Sequence, residues 1–338
     1  MVQRISGQGV HDKFRFGNIS FARQPIILAP MEDVTDPPFR RLCREMGADW
    51  VYTEFISADG LVRDAAKSIK KLDITPAERP VSIQLFGAHI EAMVGAARAA
   101  EAAAPDFIDI NFGCPVRKVA SKGAGSGIMN DVPKMVEMTR RIVQTVNIPV
   151  TVKTRLGYDQ QTKNIVDIAE RLQDCGIAAL AIHGRTRCQM YRGTADWTLI
   201  GEVKNNPRMH IPIIGNGDIT GGASAKQAFD NYGVDGIMIG RACIGNPWVF
   251  REVKHYLETG EVLSPPDIGE RLETCRQHLL ASAAWKGEKT GLFEMRRHYC
   301  HYFRGIPHFK PIRMRLVTAG SVEEVLKVLG EIEEGLRD

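Results

Sequence analysis

Eight short apolar runs, separated by stretches of helical period, constrain this 338-residue chain more than any other feature of it. They occupy residues 26–31, 50–55, 81–86, 107–112, 150–155, 178–183, 211–214 and 236–240. Runs this uniformly apolar suit parallel strands covered by helices on both faces, whereas a half-solvated sheet would alternate. The intervening segments supply such helices, for example 90–103 and 132–146. The latter gathers Val132, Met135, Val136, Met138, Ile142, Val143 and Val146, with Asp131 as N-cap and Pro133 in its first turn. Eight such units in about 240 residues predict an α/β fold of the closed (β/α)8 TIM-barrel type. An open, doubly wound sheet is the alternative. It would be favoured by Gly-x-Gly-x-x-Gly after the first strand, where this chain reads Ala29-Pro30-Met31-Glu32-Asp33.

The flanks differ from the repeat. Residues 13–23 alternate around Gly17-Asn18 and predict a hairpin that plugs one end of a domain. Residues 257–266, with Gly260, Pro265 and Pro266, read as a linker, and beyond it the pattern is helical. Ser321 and Glu324 form a capping box that opens a last helix. The expected division is a catalytic barrel over 1–258 and a C-terminal helical domain over 259–338. A net charge of +4 leaves any nucleic-acid affinity to local patches. Seven cysteines without a close Cys-x-x-Cys pair argue against a disulfide scaffold or zinc knuckle, and for a reducing, cytoplasmic setting. No stretch approaches the roughly 20 apolar residues of a membrane span. Arg4 and Lys13 are followed by no apolar segment of the kind a signal peptide carries.

Barrel enzymes assemble their sites where strands end at the C-terminal face, so those residues matter most. Here they are Met31, Glu54, Gln84, Cys114, Lys153 with Arg155, His183 with Arg185, Asn216 with Asp218, and Gly240 with Arg241. Pro115 stops the fourth strand and leaves Cys114 on the loop that follows. Cations in that loop, Arg117, Lys118 and Lys122, favour a thiolate; the plainer reading is a buried cysteine acting as a small hydrophobe. Lys153 and Arg155 share one face of the fifth strand and point toward the barrel mouth. His183 equally suits a satisfied core histidine. The loops at Gly215-Asn216-Gly217-Asp218 and Gly240-Arg241 follow strands seven and eight, where barrels often hold a phosphate. Together with Gln84, which can bond a ring's amide edge, and Lys153, which can face a developing anion, they suggest a phosphorylated planar cofactor.

These residues resemble the motifs of the tRNA-dihydrouridine synthases of the bacterial type. The resemblance rests on Ala29-Pro30-Met31, Val34-Thr35-Asp36, Gln84-Leu85-Phe86-Gly87, Asn111-Phe112-Gly113-Cys114-Pro115, Val152-Lys153, Ile182-His183-Gly184-Arg185-Thr186, Asn216-Gly217-Asp218 and Gly240-Arg241, in order along the whole chain. It implies an FMN-bearing barrel that reduces chosen D-loop uridines in tRNA to dihydrouridine with NADPH as electron source. By the same resemblance Cys114 donates a proton to uracil C5, and reduced FMN gives hydride to C6. Pro30, Met31 and Glu32 line the flavin; Gln84 and Lys153 meet its rings. His183 sits over it, and Asn216, Gly217, Asp218, Gly240 and Arg241 hold its phosphate. Asn111 reaches the flipped base, and Arg117, Lys118, Arg155 and Arg185 belong to the substrate side. A monomer without a metal is expected. Glu32-Asp33 and Arg117-Lys118 depart from the common pattern and bear on which uridine is accepted.

Residues 271–315 carry ten Lys or Arg against three Glu, with aromatics interleaved. Arg296 and Arg297 are the cations expected to grip the tRNA backbone from this face. A flavin reductase acting on a free pyrimidine would have no use for it. The same pattern also fits a solvated helical surface over an aromatic core.

Overall fold

The structure is a computed structural model that describes residues 14–306 and 309–334. Strands β1 (Phe14–Phe16) and β2 (Ile19–Phe21) make the expected antiparallel hairpin, turning at Gly17 with φ +54°. Arg4 and Lys13 lie outside the described residues. The barrel follows in chain order as β3 (Ile26–Leu28), β4 (Val51–Tyr52), β5 (Ile56–Ser57), β6 (Val81–Phe86), β7 (Phe107–Asn111), β8 (Val150–Arg155), β9 (Ala179–His183), β10 (Ile213–Asn216) and β11 (Gly236–Ile239). The strands pair in parallel in the order β3-β11-β10-β9-β8-β7-β6-β4. A bridge between Ile27 and Trp50 joins the first position to the second and closes the ring. The closed barrel, and not the open sheet, is therefore the fold.

Three boundaries differ from the sequence reading, each for a local reason. The second strand position is interrupted between Tyr52 and Ile56, so β4 and β5 pair separately with β6. The seventh starts at Ile213, because Pro212 has no N–H for the ladder while its carbonyl still accepts from Leu180 N at 3.1 Å. Helix Val249–Thr259 runs through the start of the expected linker and stops at Gly260, whose φ of +79° is the left-handed conformation glycine adopts without strain.

Alternation along each strand divides the apolar residues into two cores. Ile27, Trp50, Phe107, Ile214 and Met238 fill the barrel interior, and Phe16 of the hairpin joins them from below. Phe16 meets Trp50 edge-on at 5.7 Å, and Trp50 stacks on Phe107 at 4.3 Å. Burying Phe16 contributes about 2 kcal/mol. A side chain at Gly17 would start 2.5 Å from Pro149, so the hairpin can sit this low only with glycine there. The outward residues, such as Ile83, Ile108, Ile110, Val152 and Ile182, pack beneath the surrounding helices.

Helices Ile268–Lys286, Glu288–Tyr302, Lys310–Thr318 and Val322–Glu334 build a separate core around Leu272, Cys275, Met295, Tyr299, Leu316 and Leu329. Asp267 and Ser321 cap the first and last of them, accepting from Glu270 N (2.8 Å) and Glu324 N (3.1 Å). Several contacts anchor the group to the barrel side, among them these. His278 stacks on Phe39 at 5.2 Å, the Trp285 indole N–H donates to Asp73 at 2.7 Å, and Lys286 pairs with Asp36 at 2.6 Å, nearly buried. Among the described residues no helix is long and apolar enough to cross a membrane.

Candidate active site at the barrel mouth

Strand register decides which side chains meet. Asn111 of β7 lies opposite Lys153 of β8, Arg155 opposite His183 of β9, and His183 opposite Asn216 of β10. All point inward at the C-terminal end. With Pro30, Met31, Glu32, Cys114, Gly217, Asp218, Gly240 and Arg241 they line a cavity of about 910 Å³. Its outer wall comes from the helical region, through Arg271, Arg297, His301, Tyr302 and Arg304.

The loop carrying Cys114 is held on both sides of the thiol. Asn111 Oδ1 accepts from the backbone N–H of Gly113 (3.0 Å) and of Cys114 (2.8 Å). The Cys114 carbonyl accepts from Ser126 N (3.1 Å) and Ser126 Oγ (2.7 Å), and Arg155 Nε donates to the Gly113 carbonyl at 2.7 Å. A Cβ at Gly125 would lie 2.9 Å from the Cys114 carbonyl oxygen, and the local φ is +54°, so this approach requires glycine.

Electrostatics here reverse one expectation. Burial pushes the Cys114 thiol above the usual range, outweighing a backbone hydrogen bond and the nearby Arg155 and Lys153, which act the other way. Arg117 and Lys118, expected to favour a thiolate, stand on a short exposed helix, Arg117–Ala120, outside the cavity lining. The thiol is thus held neutral. Lys153 is lowered to about 8 by burial and by Arg155, yet it remains mostly charged at neutral pH. Its Nζ donates to Asn216 Oδ1 at 3.0 Å, and Asn216 Nδ2 donates to the Met238 carbonyl at 3.0 Å. Arg155, lowered to about 10 by burial, donates also to the carbonyls of Thr186 (3.1 Å) and Met190 (2.9 Å). His183 is pushed well below the ordinary histidine range, first by burial and then by four surrounding cations, so it is neutral.

At the far side, Gly217 has φ +128°, and a Cβ there would crowd His183 Cδ2 at 3.1 Å. Asp218 holds three partners: Arg185 (2.7 and 3.0 Å), Arg241 (3.0 Å) and the backbone N–H of Ala195 (2.8 Å). Its carboxylate therefore steadies the loop and orients Arg241 toward the cavity. Gly240 faces the cavity with open space, since a Cβ would find Ala29 and Met31 only at 3.8 Å. A half-buried cation, a neutral histidine, two glycine-bearing loops and a rim arginine form a donor set that fits a phosphorylated flavin.

Several expected residues lie elsewhere. Gln84 is fully buried below the cavity, bonded to Asp109 and Asn111. Arg185 lies behind it, clamped by Asp218 and the carbonyls of Arg192 and Gly193. Arg296 does not line it: its guanidinium lies over Phe293 and reaches the Ala319 carbonyl at 3.4 Å. Arg297 does line it, bonded to the Glu32 carbonyl (3.3 Å) and Asp33 (3.4 Å). Glu32, Asp33 and Glu54 bring carboxylate oxygens within 4.8 Å of one another, and Lys71 lies 2.7 Å from Glu32 and 3.4 Å from Glu54. Sequence reasoning missed Tyr191, an exposed ring beneath the guanidinium groups of Arg155 (5.7 Å) and Arg241 (5.2 Å), and His301 on the outer wall. Neither ends a strand. Arg271 and Arg304 entered only as members of a charge run.

A family model described as dihydrouridine synthase matches residues 27–333. The chain belongs to the dihydrouridine synthase family. Its curated relatives include tRNA-dihydrouridine synthase B of Pseudomonas putida, 40% identical over 87% of this chain and 86% of that protein. A probable tRNA-dihydrouridine synthase of Rickettsia conorii is 39% identical over 88% and 90%. Among solved structures, histamine dehydrogenase from Rhizobium sp. 4-9 matches with a TM-score of 0.56 at 13% identity, over 80% of this chain and 51% of that one. A 2-naphthoyl-CoA reductase complex matches with a TM-score of 0.57 at 13% identity, over 71% and 51%. This chain spans about half the length of these two, and the likeness is one of fold.

Proposed function

We propose that this dihydrouridine synthase reduces uridine in tRNA to 5,6-dihydrouridine, with Cys114 as the proton donor, FMN as the bound flavin and NADPH as the electron source. The observation that carries the reading is one cavity in which a neutral, buried thiol and a half-buried lysine face an outer wall that carries Arg271, Arg297 and Arg304. A free pyrimidine needs no such wall. A uridine within RNA needs it, because its C5–C6 bond becomes accessible only when the nucleotide is flipped out, at a few kcal/mol of unstacking.

When bound, the flavin supplies the hydride that adds to uracil C6. The chain's own residues do the rest. Lys153 and Gly240 would face the flavin, with Asn216 orienting the lysine amine and Asp218 holding Arg241 where it would meet the phosphate. Asn111 holds the Cys114 loop so that Sγ faces the base. Hydride addition leaves an enolate whose C5 requires a proton, and Cys114 Sγ–H gives it; the resulting thiolate is reprotonated from water. A thiol held above its ordinary pKa has that proton available, which a thiolate would not. Residues 259–338 form the tRNA-binding domain, with Arg271, Arg297, His301 and Arg304 nearest the flipped nucleotide and Arg117 and Lys118 meeting the RNA farther out. The chain acts as a monomer, on uridines of the D-loop.

Incubation with unmodified tRNA and NADPH, followed by nucleoside mass spectrometry, tests this. Dihydrouridine should accumulate in tRNA. No product from tRNA, or reduction of a free pyrimidine in its place, would overturn the reading.

A further inference from the structure

One buried carboxylate below the cavity has no part in the chemistry above. Asp109 points inward from β7, two residues deeper than Asn111, and is fully buried. It accepts from Gln84 Nε2 at 2.6 Å and from Thr151 Oγ1 at 2.5 Å. Gln84 Oε1 in turn accepts from Asn111 Nδ2 at 2.8 Å, and Asn111 Oδ1 accepts from the N–H groups of Gly113 and Cys114. We propose that Asp109 is a positioning residue: through Gln84 and Asn111 it fixes the direction of a chain of hydrogen bonds that holds the Cys114 loop in its working place.

The reasoning is one of donors and acceptors. An ionised carboxylate only accepts, so the Gln84 amide must turn its NH₂ toward Asp109 and its oxygen toward Asn111. Asn111 must then offer its NH₂ to Gln84, which leaves its oxygen for the two backbone donors beside the thiol. At the other end those backbone groups can only donate. The two ends demand the same polarity, and reversing either amide would set donor against donor among buried groups. Burial raises the Asp109 carboxyl to about 6, opposed by Thr151, Gln84 and Lys153, so it is mostly ionised at neutral pH. Strand register places the parts: Gln84 opposite Asp109, and Asp109 opposite Thr151.

The inference rests on Cys114 as proton donor, so its test includes a readout that does not depend on turnover. The Asp109→Leu variant, branched at Cγ like aspartate but larger and unable to accept, should lose about 10²-fold in kcat for dihydrouridine formation, as a displaced reacting group does, while NADPH still reduces the flavin. Iodoacetamide labelling of the holoenzyme, read peptide by peptide, should change at Cys114 and not at the exposed Cys188. Asp109→Asn should stay near wild type, since its oxygen can accept from Gln84 and its NH₂ can donate to Thr151. Gln84→Glu sets two carboxylates face to face and should impair both readouts; adding Asp109→Asn restores the alternation and should recover them. A folded Asp109→Leu protein with wild-type kcat and wild-type Cys114 labelling overturns the proposal. If that variant does not fold, the Gln84→Glu pair decides: no recovery in the double variant overturns it as well. Absence of dihydrouridine formation by the wild type would instead defeat the functional reading, and the labelling comparison would still judge the clamp.

Discussion

The two walls of the cavity are organised on different rules. On the barrel wall, Asn111, Lys153, Arg155 and Asp218 are engaged by fixed partners within 3.1 Å. On the helical wall, Arg271 is held by the carbonyls of Pro266 and Arg304 at 2.9 Å, but Arg297 reaches its partners only at 3.3 and 3.4 Å, and Arg304 is exposed. Hydride and proton transfer tolerate little displacement of the reacting groups, so the barrel wall is set before substrate arrives. A polynucleotide backbone is met by long cations that can adjust, and charge does most of that work. Disturbing the first wall should therefore alter rate, and disturbing the second should alter salt-dependent binding.

The largest expected effect falls on the first wall. Cys114→Ala should lower dihydrouridine formation by about 10²- to 10⁴-fold with flavin reduction by NADPH intact, measured by single-turnover product analysis. A normal rate in that variant removes the thiol from the mechanism. Next, Lys153→Met should weaken flavin binding or slow flavin reduction by about 10²-fold, since one preorganised charge is lost from the site. The pH profile sharpens this. Lys153 is charged below about 8 and neutral above it, so wild-type flavin reduction should decline as pH rises through that value, and the decline should vanish in Lys153→Met.

On the second wall, Arg304→Glu should weaken binding to all tRNAs alike and reduce the slope of log affinity against log salt by about 1. Arg296→Ala, whose side chain packs on Phe293 outside the cavity, should lower the melting temperature and leave that slope unchanged. An unchanged slope for Arg304 with a changed one for Arg296 would invert the comparison. The smallest effect concerns the seam between the walls. Burial lowers His278 to about 4, from 6.5, with Asp36 acting against it and Lys286 with it. As pH falls below 6.5 the unfolded chain takes up a proton that the folded form refuses, so stability is fully present above 6.5 and is lost toward 4. His278→Phe should flatten this, narrowing the melting-temperature difference between pH 7 and pH 5 by about 2–4 °C.

Which parts were legible beforehand follows from the same physics. The barrel could be read because eight strands buried on both faces must be apolar, and the mouth because nearly every strand ends in a polar residue. The break between β4 and β5 was invisible, since Thr53 and Glu54 look like any strand terminus. Cys114 was placed correctly, but its protonation depends on burial, which a run of neighbouring cations cannot report. Asp109 stood inside an apolar run and drew no notice; its use depends on Gln84 and Thr151, 25 and 42 residues away. Arg296 and Arg297 are adjacent, yet one helical step sends one toward Ala319 and the other to the cavity.

The β1–β2 hairpin has a kinetic corollary. With Phe16 wedged beneath Trp50, the floor of the barrel is packed, and the cavity opens at the mouth, where Cys114 lies. Under the proposed function, a nicotinamide donor and a flipped uridine would both use that doorway. Serving them by turns, with the oxidised donor leaving before RNA enters, would give parallel double-reciprocal plots at varied tRNA and NADPH.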